Sequence, residues 1–190
     1  MSERTILAHM GINISGIQAR TLYDKGHFEI HSGNSYTLEV NNETMGDNDF
    51  FAVGFKTPLT KEMHLFLNFT AKAQTNLQVL ENADWSGGKT GAQVAIYNRD
   101  RNSPNVPGLL NDYSISGSWQ SSGNVHFGMS GLVGTVVAQD IVYGTKQAGN
   151  MSRGEHEIIL KTGTIYAVKF LAQAGSNGGQ MIMNFYEEDL

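Results

Sequence analysis

The chain reads as an all-β protein, a single-domain β-sandwich preceded by an extended N-terminal segment, and three observations predict that class. In the last third, Glu157-Ile158-Ile159-Leu160 and the apolar run Ile165 to Ala172 flank a Lys161-Thr162-Gly163-Thr164 turn, the pattern of a hairpin. A third run, Met181 to Tyr186, follows the break Gly175-Ser176-Asn177-Gly178-Gly179 and reads as the next strand. Composition agrees: 22 Gly against 3 Pro, with 7 Tyr and 9 Phe, suits many short strands joined by turns that need positive φ.

Residues 1–27 are expected to form an N-terminal arm or first strand, and residues 28–190 the sandwich domain. In the first segment Ile6, Leu7, Met10, Ile12, Ile14, Ile17 and Leu22 recur without a sustained period. From Phe28 onward two-residue alternation sets in. Phe28 and Ile30, then Tyr36, Leu38 and Val40, lie either side of Ser32-Gly33-Asn34 as a hairpin or bend. Asn41 to Asn48 reads as a polar loop, and Phe50 to Phe55 as a strand stopped by Thr57-Pro58. Leu65, Leu67, Phe69 and Ala71 then fall on one face, with His64, Phe66, Asn68, Thr70 and Lys72 on the other. Leu77 and Val79 supply a partner strand, after which Glu81 to Thr90 reads as a loop carrying Trp85.

Gln93 to Tyr97 reads as a short strand leading into Asn98-Arg99-Asp100-Arg101-Asn102-Ser103-Pro104-Asn105. Two arginines this close are notable among only 13 basic residues. Arg99 and Arg101 either tie the loop to Asp100 and acceptors of their own domain or reach acidic groups on a partner. The turn-forming Asn, Ser and Pro around them favour the internal role, because a fixed loop needs local anchors. Gly108 to Ser130 is a polar region with Tyr113, Ile115 and Trp119 at even spacing; Leu132 to Tyr143 is a Val-rich apolar segment; Gly144 to Gly154 is a loop. The closing Glu187-Glu188-Asp189 reads as a solvated end.

A formal charge of -5 gives a duplex or an anionic membrane surface no counterion-releasing patch, so neither nucleic acid nor membrane is an expected partner. The absence of Cys excludes disulfides, thiolate metal sites and cysteine nucleophiles. No apolar run has signal-peptide or membrane-span length, so synthesis in the cytoplasm is expected. The chain carries no nucleotide-binding glycine motif, no Gly-x-Ser-x-Gly elbow and no His-Glu-x-x-His pair. His27 and His31 share a face if their segment is a strand, yet no third ligand lies nearby in sequence. Asp47, Asp49, Asp84 and Asp100 sit in oxygen-rich turns without a defined ligand series. Catalytic residues, metals and cofactors are therefore expected to be none. Trp85 and Trp119, with Tyr97 and Tyr113, are the candidate surface aromatics; Trp85 fits either a lid over the sandwich end or a platform for a sugar or partner.

The series Phe28-Glu29-Ile30-His31-Ser32-Gly33, Phe55-Lys56-Thr57-Pro58, Tyr97-Asn98-Arg99-Asp100-Arg101-Asn102-Ser103 and Arg153 to Tyr166, closing in Asn184-Phe185-Tyr186-Glu187, resembles a family of tailed-bacteriophage head-associated structural proteins. The likeness runs over roughly residues 28 to 187. It implies a jelly-roll-like sandwich, a decoration or cement role on the capsid surface of the virion, the major capsid protein as partner, and no catalytic residue. It also implies a homo-oligomer, dimer or trimer, since sheet edges are readily covered by a symmetric neighbour. The alternative is a carbohydrate- or receptor-binding module of a phage fibre.

Overall fold

The computed structural model describes residues 25–85, 94–111, 126–128, 131–143, 147–151 and 157–190. Its organising feature is nested antiparallel pairing between the two halves of the chain. β1 (Ser35–Met45) pairs with β11 (Asn177–Asp189), and β2 (Phe50–Lys56) with β10 (Ile165–Ala172). β3 (Lys61–Ala71) pairs with β8 (Gln147–Met151) and β9 (Ile158–Leu160), and β4 (Thr75–Trp85) with β7 (Leu132–Val142). With β5 (Tyr97–Asn98) and β6 (His126–Gly128) at the edges, two sheets result. One has the order β5-β1-β11-β3-β8 with β9 beside β3; the other has the order β6-β2-β10-β4-β7. The protein is an all-β sandwich.

Alternation along the strands places its core. Tyr36, Leu38 and Val40 of β1, Met181, Met183 and Phe185 of β11, and Met63, Leu65, Leu67 and Phe69 of β3 are buried together with Phe51, Val53 and Phe55 of β2 and Tyr166, Val168 and Phe170 of β10. Each such side chain contributes about 1.5–3 kcal/mol on leaving water. Phe170 is central: it stacks on Phe51 at 4.7 Å and meets Phe69 edge-on at 6.2 Å. Gly179 lets it do so, because a Cβ there would lie 2.4 Å from the Phe170 ring.

Several segments depart from the sequence reading. Phe28 to Ile30 belongs to a helix, α1 (Lys25–His31), which crosses the expected boundary at residue 27; three residues of alternation cannot distinguish a strand from one helical turn. β1 continues through the polar stretch to Met45, whose side chain is buried, and β4 continues through Glu81 to Trp85. Of the expected Gln93–Tyr97 strand, Gln93 lies outside the described residues and among 94–97 only Tyr97 is in a strand, which continues to Asn98; β8 occupies part of the expected Gly144–Gly154 loop. A short helix, α2 (Gly108–Asn111), and β6 stand within the polar Gly108–Ser130 region. The largest correction is at the end of β11. Glu187 is not a solvated tail residue but a strand residue 2% exposed, because the inward series Met181, Met183, Phe185 continues to it at period two.

Candidate functional site

One end of the sandwich is closed by the 99–107 loop, and the loop is built from side chains that substitute for missing backbone partners. Asn98 donates from Nδ2 to the carbonyls of Gly33 (2.8 Å) and Asn105 (3.1 Å), while its Oδ1 accepts from Asp100 N at 2.9 Å. Asp100 Oδ1 accepts from Asn102 N at 2.9 Å, and Ser103 Oγ accepts from Asn105 N at 3.2 Å. Such turns are what Asn, Asp and Ser favour, since their short polar side chains reach backbone two residues on. The loop lies against Gly33, which has φ of 72° and has no room for a Cβ beside Ser103.

The sequence candidates separate within this loop. Arg99 is tied to its own sandwich: its N–H donates to Ser35 O at 2.8 Å and its guanidinium reaches Ser35 Oγ at 3.4 Å. Asp100 is a turn residue. Arg101 is exposed, its guanidinium 5.4 Å from the centroid of the exposed Tyr97 ring. Because the segment bends after Asn98, the two arginines do not share a partner. Trp85 ends β4 in register with Leu132, whereas Trp119 and Tyr113 lie outside the described residues. His27 and His31 lie one helical turn apart on α1, with Nε2 atoms 3.1 Å from each other.

Glu187, overlooked by the sequence reading, anchors the far end of the loop. Its carboxylate accepts from Gly108 N at 2.6 Å and from Leu109 N at 3.2 Å, the first amides of α2, which have no partner within the helix. Lys61 Nζ stands 3.9 Å from Glu187 and 4.0 Å from Asp189. Burial pushes the Tyr36 phenol up to about 12, with the nearby Glu187 charge adding to the effect. Above these groups opens a cleft of about 400 Å³ lined by Asn34, Tyr36, Lys61, Pro104, Asn105 and Val106. It offers hydrogen-bond donors and acceptors side by side. Val106 in its lining is 54% exposed.

A second polar cluster lies on the other face of the same sheet. The register partners His64 and Tyr186 stack at 4.4 Å and 11°. His64 Nδ1 and Tyr186 OH both donate to Glu157 Oε1, His64 at 2.7 Å, which places a proton on Nδ1. Burial, followed by the bond to Glu157, pushes the Tyr186 phenol above its ordinary range. The cluster ties the segment entering β9 to β3 and β11. Its sequence signal was present, since His64 falls on the polar face of the cleanest alternating strand. The chain matches no protein-family model, no curated protein and no solved structure.

Proposed function

We propose that this protein is a non-enzymatic structural component of a tailed-phage virion that binds the assembled capsid through the sandwich end bearing the 99–107 loop. The reading rests on the family resemblance of the loop and hairpin segments. It is supported by one observation of the fold: an anchored loop presents exposed Val106 beside a polar cleft. A loop held in place before binding suits protein docking, because little conformational entropy is lost on binding and repetition over a shell adds avidity to modest contacts. The nested strand order supports the finer reading of the sandwich as a jelly roll, an architecture recurrent in viral capsid domains, although fold alone does not assign a role.

Purified protein is expected to decorate capsids lacking it and to raise their resistance to heat. Val106→Asp is expected to weaken decoration while the melting temperature holds. Electron-microscopic density confined to the tail, or decoration undiminished in the Val106→Asp variant, refutes the reading. The polar cleft favours a second reading, a glycan site, since amide, phenol and ammonium groups match hydroxyls; binding in a glycan array lost on Asn105→Ala and Lys61→Ala would select it.

A further inference from the structure

The cleft beside the 99–107 loop is lined by polar groups that the fold leaves open. Tyr36 is 1% exposed and lines the cleft, yet its hydroxyl makes no hydrogen bond among the described residues, whereas a buried phenol ordinarily finds a partner. Burial and the Glu187 charge push this phenol up to about 12, so at neutral pH it is protonated and able to donate. The Asn105 carboxamide makes no bond among the described residues; Asn34 donates from Nδ2 to Glu29 Oε2 at 3.3 Å, and its Oδ1 accepts from none of them. Lys61 Nζ stands 3.9 Å from Glu187 and 4.0 Å from Asp189, too far for either to accept its N–H groups as hydrogen bonds. The backbone of the two asparagines, by contrast, is engaged. Asn34 N donates to Glu29 O at 3.0 Å and Asn34 O accepts from Glu187 N at 3.2 Å; Asn105 N donates to Ser103 Oγ and Asn105 O accepts from Asn98 Nδ2. A peptide laid against Asn34 and Asn105 would therefore find no main-chain groups to pair with.

The open set mixes donors and acceptors: a phenol, an ammonium, one carboxamide oxygen and one whole carboxamide. A hydroxyl both donates and accepts, and so matches it. An anion only accepts; it would leave Asn34 Oδ1 unpaired and would meet the charges of Glu187 and Asp189 beside Lys61. A cation only donates and would meet the Lys61 ammonium. We propose that the cleft binds one neutral sugar unit, whose hydroxyls accept from Tyr36 and Lys61 and donate to Asn34 and Asn105. The cleft volume of about 400 Å³ lies toward the small end of the range of about 300–1,000 Å³ for small-ligand sites, and Pro104 and Val106 give the ring's C–H groups an apolar wall. Such a site rests on the glycan reading of the cleft, narrows it to uncharged sugars and assigns Tyr36 as the contact that discriminates. It does not depend on capsid binding.

The test is an NMR titration of the isotopically labelled full chain with the methyl glycosides of glucose, galactose and mannose. At least one is expected to give saturable shifts at the Asn105 and Val106 amides, and the matching uronoside, which differs only in its carboxylate, is expected to bind more weakly. Tyr36→Phe keeps the ring that packs 5.3 Å from Phe185 and removes only the hydroxyl, so it is expected to raise the dissociation constant about ten-fold at an unchanged melting temperature. If that variant does not fold, Asn105→Ala, whose side chain holds nothing else among the described residues, is expected to give the same loss. Undiminished binding in the variant that folds, or a uronoside bound as tightly as its neutral parent, overturns the proposal and leaves the broader glycan reading standing. An absence of shifts with every sugar, charged and neutral, overturns both.

Discussion

The two ends of β11 each carry a buried polar side chain, and they use it differently. At one end Asn177 spends its whole hydrogen-bonding capacity inside the sandwich: Nδ2 donates to Gln74 O (2.8 Å) and Thr75 Oγ1 (2.9 Å), and Oδ1 accepts from Ala73 N (3.0 Å) and Gly178 N (2.8 Å). At the other end Glu187 places a charge near the core and directs it at the backbone of a segment outside the two sheets. A neutral, fully paired amide fastens the β3–β4 turn to its own sheet. The carboxylate instead holds a loop, and burying a charge for that purpose is costly unless each oxygen is paired. The contrast separates an end built for cohesion from an end built to present a surface.

The test with the largest expected effect attacks the cohesive end. Asn177→Ala leaves the half-buried Ala73 N–H and the buried Gly178 N–H without their acceptor, while the Gln74 carbonyl keeps its bond from Gln173 N at 2.9 Å, and the expected loss is about 3 kcal/mol in urea denaturation. A loss below about 1 kcal/mol would mean that water or a local shift replaces the amide, and the two ends would no longer differ in kind.

This contrast was only half legible in the sequence. Residues 64–72 and the hairpin flanking Lys161–Thr164 carry enough alternation to be placed on the correct elements, and the same period, followed past Phe185, points Glu187 inward. Three consecutive acidic residues concealed that signal, since local composition at a chain end argues for solvent. Asn177 was hidden within a glycine-rich break that reads as a turn, because its partners Ala73, Gln74 and Thr75 lie about a hundred residues away and only register brings them together. The arginine pair posed the opposite difficulty. Two like residues at close spacing suggested a common task, whereas the bend after Asn98 divides them.

The second test loosens the presenting end. Glu187→Gln keeps the shape but offers one carbonyl oxygen where two oxygens accepted, so one of the Gly108 and Leu109 amides loses its acceptor; the expected loss is about 1–2 kcal/mol, smaller than at Asn177. Amide exchange at Gly108 and Leu109 is expected to accelerate more than exchange in the β-strands. The Tyr36 phenol, pushed up to about 12 in the native protein, is expected to titrate at lower pH once the charge is gone, and still above the ordinary value because burial is the larger cause. Unchanged exchange at these amides would show that the loop is held by the Asn98 turns alone.

The smallest effect should come from the loop's exposed cation, and that smallness is the point of the comparison. Arg99 reaches Ser35 Oγ in its own β1, so Arg99→Ala is expected to lower stability by about 1 kcal/mol even though the backbone bond from its N–H to Ser35 O survives. Arg101 contacts only the exposed face of Tyr97 among the described residues, and such a cation–π pair contributes about 0.5 kcal/mol at an exposed site. Thermal denaturation of the two single variants therefore ranks the residues by their part in cohesion. If the protein binds a capsid as proposed, that binding should rank them the other way, because a guanidinium held at the surface by an aromatic face is available to a partner's carboxylate, whereas the one turned toward Ser35 is committed. An Arg101→Ala variant that melts lower than Arg99→Ala would reverse the assignment and make the outer half of the loop part of the scaffold.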